Sequence, residues 1–216
     1  MMSTPAHRAR LVLALRSAGI TDTKALSAIE NVPREIFVPD AFQDRAYEDT
    51  ALPIGYGQTL SQPLVVATMI QGLELGGREK LLEVGTGSGY HAAILSHLCR
   101  RVYTIERHRP LLADAQGRFD ALGLSNVVTM AGDGMKGWPE QAPFDRISVT
   151  AAGDAPPQEL LNQLKVGGIM IMPVGGQSRV QQLVRFRRTE TAVESEVLMD
   201  VRFVPLLPGV AEAAEA

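Results

Sequence analysis

Lys80-Leu81-Leu82-Glu83-Val84-Gly85-Thr86-Gly87-Ser88-Gly89-Tyr90-His91-Ala92-Ala93-Ile94-Leu95 is the stretch that decides the fold. It opens as a short apolar run with a single acid, the pattern of a buried strand. Three glycines follow at alternate positions, and then a helical apolar pattern carried by Ala92, Ala93, Ile94 and Leu95. Strand, glycine-rich turn and helix form the opening βα unit of a nucleotide-binding, Rossmann-like sheet. The glycines let the chain turn sharply and let a ligand approach where a Cβ would otherwise stand. A tight turn without a ligand would need the same residues, so this stretch alone does not establish a binding site.

The next apolar run adds a second feature. Arg101-Val102-Tyr103-Thr104-Ile105 ends at Glu106, 17 residues beyond Gly89. A doubly wound sheet places a carboxylate for a ribose diol at about that distance, on the tip of its second strand. Gly87-x-Gly89-x-x-Ala92 fits a dinucleotide fingerprint, so NAD is one reading. Glu83, two residues before the first glycine, argues against it, because a carboxylate beside a pyrophosphate is unfavourable. A sulfonium cofactor with an ammonium group would be favoured by the same acid, which points to S-adenosylmethionine. No G-x-x-x-x-G-K-[ST] segment is present, which removes a P-loop.

Composition narrows the class. The 216 residues suffice for one decorated α/β domain, and 45% of them are hydrophobic. The net charge of −3 and the scattered Lys and Arg argue against a nucleic-acid binder. Cys99 is the single cysteine, which leaves no intrachain disulfide and no cysteine metal cluster. The four histidines show no metal-ligand spacing, so no metal site is expected. There is no leader pattern and no apolar run near 18 residues, so the expectation is a cytoplasmic protein with no membrane contact.

Along the chain, residues 7–18 repeat leucine and alanine at helical spacing, and Thr21 or Asp22 can cap a second helix carrying Ala25, Leu26 and Ile29. A turn-and-dock segment follows at Val32–Pro39, then a short helix at Ala41–Tyr47. Residues 1–50 read as helical decoration laid on the sheet domain, residues 51–207 as a substrate loop plus the cofactor-binding sheet, and residues 208–216 as a tail that frays from Ala211. Alternation then predicts a helix at Leu111–Leu122, strands at Asn126–Met130 and Arg146–Thr150, a helix at Pro157–Leu164 and a strand at Ile169–Val174. Val180–Arg187 and Glu196–Val204 read as a final hairpin-like pair. Met170 and Met172 are core candidates. Asp133 sits between Gly132 and Gly134 at a strand tip, where it is either a ligand contact or a turn aspartate.

Residues 51–63 read as a connecting loop with hydroxyls, amides and glycines and no charge: Ala51-Leu52-Pro53-Ile54-Gly55-Tyr56-Gly57-Gln58-Thr59-Leu60-Ser61-Gln62-Pro63. One reading is that Ser61 or Gln62 caps the helix that begins at Pro63. The other is that its hydroxyls and free N–H groups, next to a helix N-terminus, bind a carboxylate.

At this point the chain resembles the protein-L-isoaspartate (D-aspartate) O-methyltransferase family. The resemblance rests on Val32-Pro33-Arg34-Glu35-x-Phe37-Val38, Leu52-Pro53-Ile54-Gly55-x-Gly57-Gln58-Thr59-x-Ser61-Gln62-Pro63, Leu82–Tyr90, Gly132-Asp133-Gly134-x-x-Gly137-Trp138, Pro143-Phe144-Asp145, Val149-Thr150-Ala151-Ala152 and Phe203-Val204-Pro205-Leu206. The glycine segment is shared with many methyltransferases, whereas the loop from Gln58 to Pro63 is specific to this family. Leu60 stands where Ile is usual and His91 where Gln is usual; neither departure removes a motif residue, and the sequence does not give the effect of either on affinity.

The resemblance implies an S-adenosylmethionine-dependent methyltransferase fold, doubly wound and mostly parallel. It implies methyl transfer to the α-carboxylate of L-isoaspartyl and D-aspartyl residues in damaged proteins, after which the ester closes to a succinimide and partial repair follows. It implies Ser61 as the active-site residue with Thr59 beside it. Cofactor contacts would come from Glu83, Gly85, Thr86, Gly87, Ser88, Gly89, Glu106, Arg107, Asp133, Gly134 and Thr150, and substrate contacts from Ile54, Gly55, Gln58, Leu60 and Val204. A monomer acting on isoaspartyl proteins and peptides is expected. Three other classes compete: a methyltransferase for another carboxylate, small molecule or nucleic acid, an NAD oxidoreductase, and a non-catalytic cofactor-binding adaptor. The first would not need the Gln58–Pro63 segment, and where an aminomethylating enzyme carries Asn-Pro-Pro-Tyr this chain has Thr150-Ala151-Ala152-Gly153.

Overall fold

Lys80–Val84 is an interior strand, third in order, of a seven-stranded sheet in the computed structural model, which describes residues 5–176 and 180–212. The element order is α1 (Pro5–Ser17), α2 (Thr23–Asn31), β1 (Leu52–Gly55), β2 (Gln58–Leu60), α3 (Pro63–Gly72), β3 (Lys80–Val84), α4 (Tyr90–Ser96) and β4 (Arg101–Glu106). There follow α5 (Arg109–Ala121), β5 (Val127–Ala131), β6 (Phe144–Val149), α6 (Gln158–Gln163), β7 (Leu164–Val174), β8 (Gln181–Arg188) and β9 (Val193–Val201). Short 3-10 segments span Arg34–Phe37 and Asp40–Arg45.

The sheet runs β5-β4-β3-β6-β7-β8-β9. The pairs from β5 to β7 are parallel, and β8 and β9 are added antiparallel. The interior parallel strands β3, β4 and β6 are largely buried, whereas the edge strand β5 is half-buried, and alternation along the strands divides the core in two. Leu81, Val102, Ile169 and Ile171 join the cluster beneath α1 to α4. Leu82, Tyr103, Ile105, Phe144, Ile147, Met170 and Met172 form the other. Leu11, Leu15, Leu26 and Ile29 of the N-terminal helices share the first cluster with α3 and α4. Asp22 caps α2, its side chain accepting from the N–H groups of Lys24 and Ala25.

Three expectations change. Residues 51–63 are not a plain loop, because β1 and β2 pair antiparallel, Leu52 opposite Leu60 and Pro53 opposite Thr59. Tyr56 and Gly57 at the tip have φ of 52° and 68°, the signs of a type I′ hairpin turn. β9 begins at Val193 and ends at Val201, short of Phe203 and Val204. Its continuation is drawn off the sheet, where Ala152 and Leu206 exchange backbone hydrogen bonds with Val204 and Ala152 respectively. The tail is not free at Ala211, whose N–H donates to the Arg107 carbonyl at 3.0 Å; residues 213–216 of the expected tail lie outside the described residues.

Candidate active site

The strand order reverses at β3, with β4 on one side and β6 on the other. A crevice at that switch point is where open α/β sheets bind ligands. The chain leaves β3 through the glycine turn. Gly85 has φ of 97°, and a Cβ there would meet Thr150 Oγ1 at 2.3 Å. The Thr150 hydroxyl lies 3.0 Å from the carbonyl of Val84 and 2.7 Å from that of Gly85, so the residue just after β6 ties the turn down. Gly89 serves helix packing: with φ of 93°, a Cβ there would meet the Phe119 ring of α5 at 2.8 Å.

Glu106 ends β4, 5% exposed. One carboxylate oxygen accepts from the Gly87 N–H at 2.8 Å and the other from the His108 N–H at 2.9 Å. The remaining lone pairs are available to a ligand's hydroxyls. Glu106 thus organises the glycine turn as well as facing the cleft.

One cleft brings together most of the expected residues: Gly85, Thr86, Gly87, Ser88, Glu106, Arg107, Gly134 and Thr150 on one wall, Ile54, Gln58, Thr59, Leu60 and Ser61 on the other, with Val204. The sequence reading gave no role in the cleft to Tyr90 or to Pro205, Leu206 and Leu207, which also line it. Their segment was legible only as a motif at the end of the fold. Arg107 holds that segment, its guanidinium 3.4 Å from the Gly209 carbonyl and 3.5 Å from that of Pro208.

Gly55, Glu83, Gly89 and Asp133 are not in the lining. Gly55 lies at the exposed hairpin turn. Asp133 is a capping residue, its Oδ1 accepting from the Met135 N–H at 2.9 Å. Glu83 requires the largest correction. It is fully buried in β3, in register with Thr104 of β4 and Ser148 of β6. It accepts from the Thr104 hydroxyl, which lies 2.6 Å from that of Thr86. Burial, reinforced by the nearby Glu106 and only partly offset by the Thr104 hydrogen bond, pushes its carboxyl up to about 8. At neutral pH it is therefore mostly a neutral acid, and the charge argument for a sulfonium over a pyrophosphate fails. Glu83 supports the turn from below, through Thr104 and Thr86.

His91, at the start of α4, lines the cleft with its Nε2 3.5 Å from Ser148 Oγ. Burial pushes it down to about 4, so it is neutral. The cap reading of Ser61 also fails. Asp49 takes that place: Oδ1 accepts from the Leu64 N–H at 2.8 Å and Oδ2 from the Gln62 side-chain amide at 2.9 Å.

The lining fits a ligand with hydroxyls and polar ends. Ser88 Oγ is buried in it without a hydrogen-bond partner, the turn backbone is bare of Cβ atoms at Gly85 and Gly87, and Glu106 has acceptor capacity at the strand tip.

The comparisons agree with this geometry. A sequence profile described as protein-L-isoaspartate(D-aspartate) O-methyltransferase matches residues 6–211. The chain is 60% identical to the protein-L-isoaspartate O-methyltransferase of Rhodospirillum centenum over 99% of its length and 97% of the relative's. It is 58% identical to that of Rhodospirillum rubrum, over 96% of both. A solved structure named protein-L-isoaspartate O-methyltransferase superposes with a TM-score of 0.83 at 30% identity, covering 92% of this chain and 65% of that one. A Plasmodium falciparum structure solved in complex with S-adenosyl-L-homocysteine shares the fold, with a TM-score of 0.78 at 24% identity over 93% of this chain and 98% of that one.

Proposed function

The chain belongs to the protein-L-isoaspartate (D-aspartate) O-methyltransferase family, and from that premise we infer that it transfers the methyl group of S-adenosylmethionine to the α-carboxylate of L-isoaspartyl and D-aspartyl residues in damaged proteins. The observation that carries the reading is the shared cleft: Thr59 and Ser61 line the same space as the glycine turn and Glu106. S-adenosylmethionine, when bound, supplies the electrophilic methyl on a sulfonium.

The chain's own residues position two partners. Gly85, Thr86, Gly87 and Gly134 present backbone, Ser88 a free hydroxyl, and Glu106 its remaining lone pairs for a ribose diol; Arg107 and Thr150 hold the edges of that wall. An isoaspartyl carboxylate titrates near the ordinary carboxylate range, about 3.9. It arrives as an anion and needs no general base from the chain. Ser61, with Thr59, donates hydrogen bonds that hold the carboxylate in line, and orientation of this kind supplies much of the rate of a displacement. Ile54, Gln58, Leu60 and Val204 shape the substrate side. The methyl ester then closes to a succinimide without further help.

A cytoplasmic monomer is part of the same reading. Among the described residues no helix is long and apolar enough to cross a membrane. Cys99 is a free, buried thiol. The sheet's edge strand β9 carries Glu194, Glu196 and Asp200, charges of the kind that blunt edge-to-edge pairing.

The test is transfer of labelled methyl to an isoaspartyl peptide and its aspartyl twin, with label released as methanol in base. Label on the first and not the second is expected, and equal or absent labelling would sink the reading. S-adenosylhomocysteine at ~100 times its dissociation constant is expected to stabilise the fold by about 2.7 kcal/mol. A thermal shift with NAD and none with S-adenosylhomocysteine would reverse the cofactor assignment.

A further inference from the structure

Arg34 lies in the segment between α2 and the hairpin and does not line the cleft. Its side chain is fully buried, and among the described residues no carboxylate forms an ion pair with it. An arginine buried without an anion is costly, and an apolar side chain would fill the space more cheaply. What the guanidinium does there is specific. Nε donates to the Ala46 carbonyl at 2.8 Å, and Nη2 donates to the Ser61 carbonyl at 2.8 Å. The guanidinium carbon lies over the Tyr90 ring, 4.7 Å from its centroid, at cation–π distance. Nη1 is buried with no partner. Tyr90 begins α4 directly after the glycine turn, and both Tyr90 and Ser61 line the cleft.

One planar fork therefore spans the two walls: it is seated on the first residue of α4 and grips the main chain at Ser61. Only arginine offers several donors in a rigid plane together with a face for stacking. We propose that Arg34 is a positioning residue for the methyl transfer, fixing the main chain at Ser61, and so its hydroxyl, relative to the glycine turn. The inference rests on the functional reading above. Arg34 acts through Ser61, so its loss should appear in turnover and not in cofactor affinity.

The experiment compares wild type, Arg34→Lys, Arg34→Gln, Ser61→Ala and the Arg34→Lys/Ser61→Ala pair. Lysine keeps the charge and loses the fork, and glutamine keeps one donor arm. Expected for Arg34→Lys is a folded protein whose S-adenosylhomocysteine affinity stays within about 3-fold, with kcat/KM on an isoaspartyl peptide down about 10-fold or more, chiefly in kcat. The double variant is expected to be no slower than Ser61→Ala by more than about 3-fold, because both changes remove one interaction. Folded Arg34 variants with wild-type kcat/KM would overturn the proposal. So would losses that multiply in the double variant, or cofactor affinity that falls in step with turnover. If neither Arg34 variant folds, Arg34 is a folding residue and the proposal is wrong. A wild type that labels no isoaspartyl peptide would instead overturn the functional reading, before any Arg34 variant is compared.

Discussion

The Gly85–Gly89 turn and the Leu52–Leu60 hairpin face each other across one cleft, and they are held in place by different means. The turn is fixed by its own backbone and by strand register. Thr150 fastens it from the end of β6, Glu106 from β4, and the Glu83–Thr104–Thr86 chain from beneath. The hairpin has two short strands, anchored in the first core cluster by Leu52 and Leu60, and a tip exposed to solvent. Side chains from elsewhere also place it: Arg34 reaches the Ser61 carbonyl, Asp49 the Leu64 N–H at the start of α3, and the His108 ring lies 5.7 Å from that of Tyr56. A wall that serves a ligand common to many chemistries is made from backbone. The wall proposed for the substrate adds individual side-chain ties to its core anchors, and each tie can be cut separately.

Cutting the strongest tie of the first wall should have the largest effect. Glu106→Ala removes two charge-assisted hydrogen bonds to the ribose, each worth roughly 1.5–3 kcal/mol, so S-adenosylhomocysteine affinity should fall by about two to four decades. The fold should weaken too, because the Gly87 and His108 N–H groups lose their acceptor as well. Calorimetry and a melting curve on one preparation should show both losses; unchanged affinity in a folded variant would mean that Glu106 serves the turn alone.

Ser61→Ala addresses the second wall. One positioning hydrogen bond to an anion is worth about 1.5–3 kcal/mol, so turnover on an isoaspartyl peptide should fall by roughly one to two decades while cofactor affinity stays near wild type. Full turnover would place the carboxylate elsewhere in the cleft.

The same contrast explains what was legible in the sequence. The first wall is built from contiguous signals: an apolar run, alternate glycines, then an acid at the next strand tip. These depend on period and spacing, which a sequence displays. The hairpin was missed because its turn, Tyr56-Gly57, puts a tyrosine where positive φ usually selects Asn, Asp or Gly. The ties of Asp49 to Leu64 and Arg34 to Ser61 join residues far apart in the chain, and no local pattern encodes such pairs. Glu83 failed for another reason. Its position was read correctly, but its charge depends on how deeply two neighbouring strands bury it.

That buried acid gives a test of the first wall. Folded, Glu83 keeps its proton up to about pH 8; unfolded, it loses it near 4.5. Between those values the folded state binds the extra proton, so this group's contribution to stability declines as pH rises. His91 works in the opposite sense. Its folded pKa of about 4 lies below its ordinary 6.5, so stability is lost as pH falls through that window. The two trends offset each other below about pH 6.5. Above it Glu83 alone remains, worth on the order of 1–2 kcal/mol by pH 8. Glu83→Gln keeps the shape and an acceptor for Thr104, and its melting temperature should lose that alkaline decline while cofactor affinity holds. An alkaline decline that persists in the variant would show Glu83 to be ionised in the fold.

The smallest effect separates the two roles once open to Ser61. Asp49, fifteen residues before Leu64, accepts the N–H of the second residue of α3 and leaves Ser61 with no capping duty. Loss of a capping side chain costs about 1 kcal/mol, which is roughly 2–4 °C in melting temperature for a domain of this size. Asp49→Ala is expected to melt earlier by about that much and, because Asp49 does not line the cleft, to turn over near the wild-type rate per folded molecule. Ser61→Ala is expected to do the reverse, melting with the wild type and working slowly. Measuring melting and turnover on both variants side by side gives four numbers that the cleft geometry orders in advance. If Ser61→Ala melts early at full rate while Asp49→Ala is unaffected, the helix is capped by Ser61 in solution, and the carboxylate must be held by another donor on the hairpin wall.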